Sequence, residues 1–113
     1  MLLTILKSKL HMATVTSCEL YYQGSIAIDP KLLKAVGILP NEKVTVLNFD
    51  NGQRFETYAI KGRAEEVGLR GPAAKLGKKG DRVIILSYAL MTPAEAKKFK
   101  PRIAILHGKN RIR

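Results

Sequence analysis

Lys43-Val44-Thr45-Val46-Leu47-Asn48-Phe49-Asp50-Asn51-Gly52-Gln53-Arg54-Phe55-Glu56-Thr57-Tyr58-Ala59-Ile60 reads as two strands facing each other across a turn. β-Branched, aromatic and apolar residues alternate through Lys43–Phe49 and again through Arg54–Lys61, the two-residue period of a half-buried strand. Between them, Asp50-Asn51-Gly52 predicts a hairpin, because Asn-Gly accepts the positive φ angles that a tight turn requires. The same pattern recurs in Leu2–Lys7, Leu10–Thr16, Ile26–Ile28, Arg82–Leu90 and Ile103–Leu106, with Gly37, Gly62, Gly68, Gly71, Gly77 and Gly80 as punctuation. Short strands broken by turns predict a mainly β chain folded as a compact barrel.

Two helices have readable ends. Asp29-Pro30 offers an N-cap and a proline at the first helical position, Leu32, Leu33 and Val36 form an apolar stripe, and Gly37 terminates it. Thr92-Pro93-Ala94-Glu95 reads as a capping box for a second helix running to about Lys98, stopped before Pro101.

The 113 residues suit a single domain spanning 1–113, with 46% hydrophobic residues for a core and a size at which oligomerisation helps to bury surface. The first apolar run, Leu2–Leu6, stops at Lys7 and Lys9. That is too short to span a bilayer and lacks a signal peptide's cleavage pattern, so a cytoplasmic location is expected. A lone cysteine, Cys18, permits no internal disulfide and reads as a quiet, partly buried thiol in a reducing compartment. With two histidines, one cysteine and scattered acids, no zinc constellation is legible and no metal is expected.

Twenty Lys and Arg against nine acids give a net charge of +11, and no acid follows Glu95. Such a surface attracts nucleic acid, an anionic membrane or a small acidic substrate, and charge alone does not choose among them.

The dipeptide Gly24-Ser25 offers a choice. A serine hydroxyl preceded by a residue without a Cβ can approach the preceding carbonyl carbon closely enough to attack it and turn the amide into an ester. Loss of the serine α-proton then expels the ester oxygen and leaves dehydroalanine, which hydrolyses to a pyruvoyl group. Gly-Ser is also an ordinary turn dipeptide, so its surroundings decide. Upstream, Lys7, Lys9 and His11 alternate with Leu6, Leu10 and Met12, which places all three on one face of an extended strand. Tyr22 precedes the dipeptide, and Arg54, Thr57 and Tyr58 follow in the second strand of the hairpin.

Lys9-x-His11, Tyr22-x-Gly24-Ser25, Asn51-Gly52-x-Arg54-Phe55-x-Thr57-Tyr58 and Gly71-Pro72-Ala73-Ala74 together resemble the aspartate 1-decarboxylases, a pyruvoyl-dependent family of carboxy-lyases that makes β-alanine for pantothenate synthesis. The likeness runs from about the first residue to Asn110. It implies a six-stranded double-psi β-barrel with short flanking helices. It further implies a homotetramer with active sites between neighbouring subunits, and a zymogen that cuts itself at Gly24-Ser25 into chains 1–24 and 25–113. The implied reaction converts L-aspartate to β-alanine and carbon dioxide, with the pyruvoyl group from Ser25 condensing with the substrate amine and serving as electron sink.

The remaining candidates follow from the same comparison. Arg54 can bind a substrate carboxylate through a two-pronged contact, with Lys9 as the second cation; which carboxylate each holds stays open. Thr57 can donate its hydroxyl to the Gly24 carbonyl, or simply be a strand threonine. The resemblance makes Tyr58 the proton donor. His11 can orient Ser25 or a carboxylate, or be structural, and Tyr22 can hold the loop before the cut. Gly71, Pro72 and Ala73 resemble the family's substrate-binding loop, where small residues let backbone approach the ligand. In a regular strand Arg54 and Tyr58 share one face and Thr57 takes the other, so their convergence requires a strand edge, a bulge or a subunit junction.

One position departs from the pattern. Many relatives carry asparagine before Gly71, whereas this chain has Arg70, which either alters self-cleavage and pocket charge or swings outward. Two rival readings share these residues: a family member that folds without processing and serves a structural or regulatory role, and a basic β-barrel that binds nucleic acid. The second lacks the interleaved aromatics of a stacking surface.

Overall fold

Nine strands and two short α-helices organise the chain in a computed structural model that describes residues 1–113. The strands are β1 (Leu3–Thr14), β2 (Ser17–Glu19), β3 (Ser25–Ile28), β4 (Lys43–Asn48), β5 (Arg54–Lys61), β6 (Val67–Arg70), β7 (Arg82–Met91), β8 (Arg102–His107) and β9 (Arg111–Ile112). The helices are α1 (Pro30–Val36) and α2 (Pro93–Lys98), with a 3-10 turn at Gly71–Lys75.

Hydrogen bonding gives the order β2-β6-β3-β5-β4-β7-β1-β8-β9. Three of the pairings, β1 with β8, β2 with β6 and β3 with β5, are parallel. The order has two free ends, so no ladder closes the expected six-stranded barrel. Yet only Val15 and Thr16 separate β1 from β2 along the chain, and Val15 N–H donates to Asp81 O while Thr16 N–H donates to Val67 O, each at 2.8 Å. Segments far apart in the strand order are thus consecutive in sequence.

The expected hairpin is present, with Lys43 opposite Tyr58 and Leu47 opposite Arg54. Its turn differs from the two-residue type: five residues connect the strands, and of Asn51 and Gly52 only Gly52 has a positive φ, at 77°. Side chains build the loop instead. Asn48 Oδ1 accepts from the backbone N–H groups of Asp50 and Asn51 at 2.9 and 3.2 Å, and Asn51 Oδ1 accepts from Gln53 N–H at 2.8 Å.

The two predicted strands before Ser17 are one, β1, whose register against β7 shifts between Leu6 and Ser8 and again between Leu10 and Ala13. The first bulge removes Lys7 from the face expected for Lys7, Lys9 and His11, whereas Lys9 and His11, opposite Ile103 and Ile105 of β8 in unbroken register, keep one face. At the first, adjacent side chains reach the same place: Lys7 Nζ donates to Gly37 O at 2.7 Å and Ser8 Oγ donates to Val36 O, at the end of α1. Lys7 is further paired with Glu42 at 2.8 Å. Strands β2, β6 and β9 carry too few alternating apolar residues to be predicted.

Both helices end as predicted. Asp29 caps α1 by accepting from Lys31 N–H at 2.8 Å, and Gly37 closes it with φ 72°. Thr92 and Glu95 form the capping box of α2. The core is a cluster of 19 buried apolar residues drawn mainly from the strands, with Leu32, Leu33 and Val36 of α1 covering one side. No helix is long and apolar enough to cross a membrane.

Candidate active site

β3 begins at Ser25, and its neighbours hold it on both sides: Ser25 faces Arg70 and Ile26 faces Leu69 across the antiparallel β6, while Ile26 faces Ala59 across the parallel β5. Every residue from Ser25 to Asp29 is buried, Ser25 to 1% exposure. The Ser25 hydroxyl makes one long hydrogen bond, donating to Gln23 O at 3.4 Å. It is fixed in place by its backbone, without a short bond to hold the oxygen back. Immediately upstream, Glu19 to Gln23 are all exposed.

The 3-10 turn after β6 presses against this junction. Gly71 has φ 68°, and a Cβ there would lie 2.7 Å from both Gly24 Cα and Tyr22 O and 2.8 Å from Gly24 N. Only glycine fits such a backbone-on-backbone approach. A Cβ on Gly24 would in turn meet Pro72 Cδ at 3.2 Å, so Gly24 also sits in a tight seat that favours glycine.

A cavity of about 310 Å3 opens at this point, lined by Gly24, Thr57, Tyr58, Pro72 and Ala73 together with Phe55, Glu56 and Leu76. Thr57 and Tyr58 both reach it although they alternate in burial along β5. The reason is an edge. Residues 54–58 pair with β4 alone and without a register shift, while β3 takes only 59–61. A larger cavity of about 660 Å3, lined by Thr16, Ser17, Glu66, Arg70 and Lys109 among others, contains neither Gly24 nor Ser25. Of the two, only the smaller is lined by a residue of the dipeptide, Gly24; Ser25 lines neither.

Other predicted residues lie outside that lining. Lys9 stands between Leu86 of β7 and Ile103 of β8, and His11 sits at the second bulge of β1 with Nδ1 buried and unpartnered. Arg54 is exposed at the start of β5. Tyr22 is 54% exposed and lies under the Arg70 guanidinium, 4.5 Å from ring centroid to Cζ.

Arg70 does not swing outward. Its side chain is 15% exposed, and Nη2 contacts Glu66 Oε2 at 3.3 Å. Nε is buried without a hydrogen-bond partner, an arrangement that costs about 1–3 kcal/mol. Glu66 was not apparent as a functional residue from the sequence; its only signal is the four-residue spacing to Arg70. Cys18 donates to Gly77 O at 3.5 Å, and burial first, then the charge of Asp81, push its thiol pKa up and away from thiolate reactivity. No group of three or more His, Cys, Asp or Glu side chains comes together as a metal site.

The family model described as aspartate decarboxylase matches residues 1–113. The chain is 53% identical to the aspartate 1-decarboxylase of Pelotomaculum thermopropionicum, over 99% of this chain and 86% of that one. It is 51% identical to that of Chloroherpeton thalassium, over 98% and 83% of the two chains. With the Clostridium beijerinckii enzyme of the same name the identity is 50%, over 100% and 93%. A model match across every residue, joined to a serine and glycine seated as described, shows that the chain belongs to the aspartate decarboxylase family.

Proposed function

We propose that this protein converts L-aspartate to β-alanine and carbon dioxide, in the service of pantothenate synthesis, after cutting itself between Gly24 and Ser25 into chains 1–24 and 25–113. The observation that carries this reading is the convergence of Gly24, Thr57, Tyr58, Pro72 and Ala73 on one cavity, with Gly71 pressed against Gly24 where a Cβ would collide.

The residues fit a pyruvoyl group made in place. Ser25 Oγ attacks the Gly24 carbonyl carbon, the peptide C–N bond breaks and an ester forms. The Thr57 hydroxyl, lining the same cavity, is the donor that stabilises the developing oxyanion on Gly24. Removal of the Ser25 α-proton then breaks the ester Cβ–O bond and releases the Gly24 carboxylate. Water adds to the dehydroalanine that remains and ammonia leaves, giving the keto group. Once formed, that group supplies the electron sink that decarboxylation of an α-amino acid requires.

The protein's own side chains do the rest. Tyr58 holds the proton for the carbon that loses carbon dioxide. Arg54 takes one substrate carboxylate with its planar fork and Lys9 the other, while Gly71, Pro72 and Ala73 let backbone close on the substrate. His11 and Tyr22 support the site. Lys9 and Arg54 do not line the cavity of their own chain, which favours a site completed between subunits of a homotetramer. Exposed apolar side chains such as Leu90 at 65% and Ile103 at 53% favour association too. The near-continuity of β1 and β2 at the two ends of a seven-strand run supports a double-psi barrel closed through the covalent chain. A net charge of +11 raises the local concentration of a dianionic substrate, and a cytoplasmic setting suits the reaction.

Incubation of the purified protein with L-aspartate tests this reading: equimolar β-alanine and carbon dioxide are expected from the parent and neither from Ser25→Ala. Decarboxylation at the parental rate by Ser25→Ala would overturn it.

A further inference from the structure

The cation whose backbone faces Ser25, Arg70, is built in with unusual care. Glu66 Oε2 contacts Arg70 Nη2 at 3.3 Å, and Glu66 Oε1 accepts from Arg63 N–H at 2.7 Å. Two glycines make room for that carboxylate: a Cβ would fall 2.6 Å from Oε1 at Gly62 and 3.0 Å from Oε2 at Gly68. Anchored there, the Arg70 guanidinium covers the Tyr22 ring at 4.5 Å while its Nε stays buried and unpaired. Hydrogen bonding alone does not account for this pose, since an ordinary surface rotamer would satisfy Nε with water; stacking on Tyr22 does. The backbone of Arg70 faces that of Ser25 across the β3–β6 ladder, and Gly71, the next residue, abuts Gly24. One short stretch therefore touches the nucleophile's strand and the exposed segment that carries the carbonyl.

We infer that Arg70 is a positioning residue for self-cleavage: seated on Glu66, it clamps the Tyr22 ring and holds the Tyr22–Gly24 segment in register with Ser25. The inference rests on the self-cleavage proposed above. It gives a role to a cation that lines no part of the cavity beside Gly24. Attack by a hydroxyl on a neighbouring carbonyl depends steeply on alignment, and the carbonyl side of this bond has no strand to supply it.

The test compares the half-time of conversion into fragments, followed by intact mass, in Arg70→Ala, Tyr22→Leu, their double variant and Tyr22→Phe. Arg70→Ala and Tyr22→Leu are each expected to slow cleavage about tenfold, the double variant no more than either alone. Tyr22→Phe, which keeps the ring face, should stay within about twofold of the parent. A second readout uses the uncuttable Ser25→Ala protein, in which adding Arg70→Ala should speed chymotrypsin nicking after Tyr22 about tenfold while thermal unfolding changes little. Cleavage of Arg70→Ala at the parental rate, fully additive slowing in the double variant, or unchanged nicking after Tyr22 would each overturn the clamp. If the parent itself never cuts, the self-cleavage reading fails, and the nicking rate still decides whether Arg70 holds the segment.

Discussion

Residues 19–23 and 25–29 adjoin across Gly24 and differ in almost everything else: the first five are exposed, the second five buried. Ser25 and Ile26 carry ladders to their neighbours, whereas Leu20–Gln23 belong to no strand or helix. The contrast teaches where the difficulty of the reaction lies. Burial fixes Ser25 without further help, but the Gly24 carbonyl that it attacks in the proposed self-cleavage is carried by a segment that the core does not hold. Alignment has to come from outside, through Gly71 and Pro72 against Gly24 and through Arg70 over Tyr22.

Changes at the junction should therefore act on the reaction, and changes in the anchored half on stability. Thr57→Val tests the first claim most severely. Losing one oxyanion donor should slow fragment formation about 10²–10³-fold with the fold intact, as followed by gel densitometry beside circular dichroism; a parental half-time would remove Thr57 from the scission step. Tyr58→Phe separates scission from catalysis. Cleavage should proceed normally while turnover of L-aspartate falls roughly 10²-fold, measured as β-alanine release from fully cut protein.

On the anchored side, Asn110 is buried at 4% and ties the C-terminal stretch to the end of β1 and to Glu65. Its Oδ1 accepts from Thr14 N–H at 2.7 Å, and its Nδ2 donates to Thr14 O and Glu65 O, both at 2.9 Å. Asn110→Ala should cost about 2–3 kcal/mol in urea unfolding and leave the cleavage half-time unchanged. A large kinetic effect would blur the division between the halves.

The smallest effect concerns acid stability. The Glu95 carboxylate accepts from Thr92 backbone N–H, its main cause of a lowered pKa, and from the Thr92 hydroxyl; Asp50 is lowered chiefly by its hydrogen bonds with Arg82. A carboxyl whose folded pKa lies below its unfolded value adds stability that is fully present above the unfolded value, near 4, and is lost as pH falls through the folded one. Both groups are at the surface, so Glu95→Gln should lower the melting temperature only slightly near neutrality, the difference from the parent vanishing below about pH 4, with no change in cleavage. A steepened acid decline would contradict the capping contribution.

Much of this was legible in the sequence because local chemistry fixes it. The caps at Asp29 and Thr92, the strands around Asn51-Gly52 and the alternation of β7 each announce themselves within a few residues. What was not legible depends on partners distant in sequence. β6 reads as a turn because of Gly68, yet that glycine is needed where a Cβ would meet Ser17 Oγ at 2.8 Å. The first bulge of β1 arises where the strand must serve both β7 and the end of α1. Serine, glycine, threonine and tyrosine at the site could be singled out by type, but the edge of β5 that lets Thr57 and Tyr58 converge depends on how little of it β3 covers. The role of Arg70 was open in the sequence because Glu66 and Tyr22 are ordinary residues until the fold sets them on either side of it.

The most direct measurement of the central claim is intact mass spectrometry of the matured protein, with and without a hydroxylamine probe for carbonyls. The account predicts two fragments meeting at Gly24 and Ser25, the longer starting with a keto group in place of an amine and gaining the mass of the probe. A fully matured sample that remains one unbroken, probe-inert polypeptide of 113 residues would contradict it.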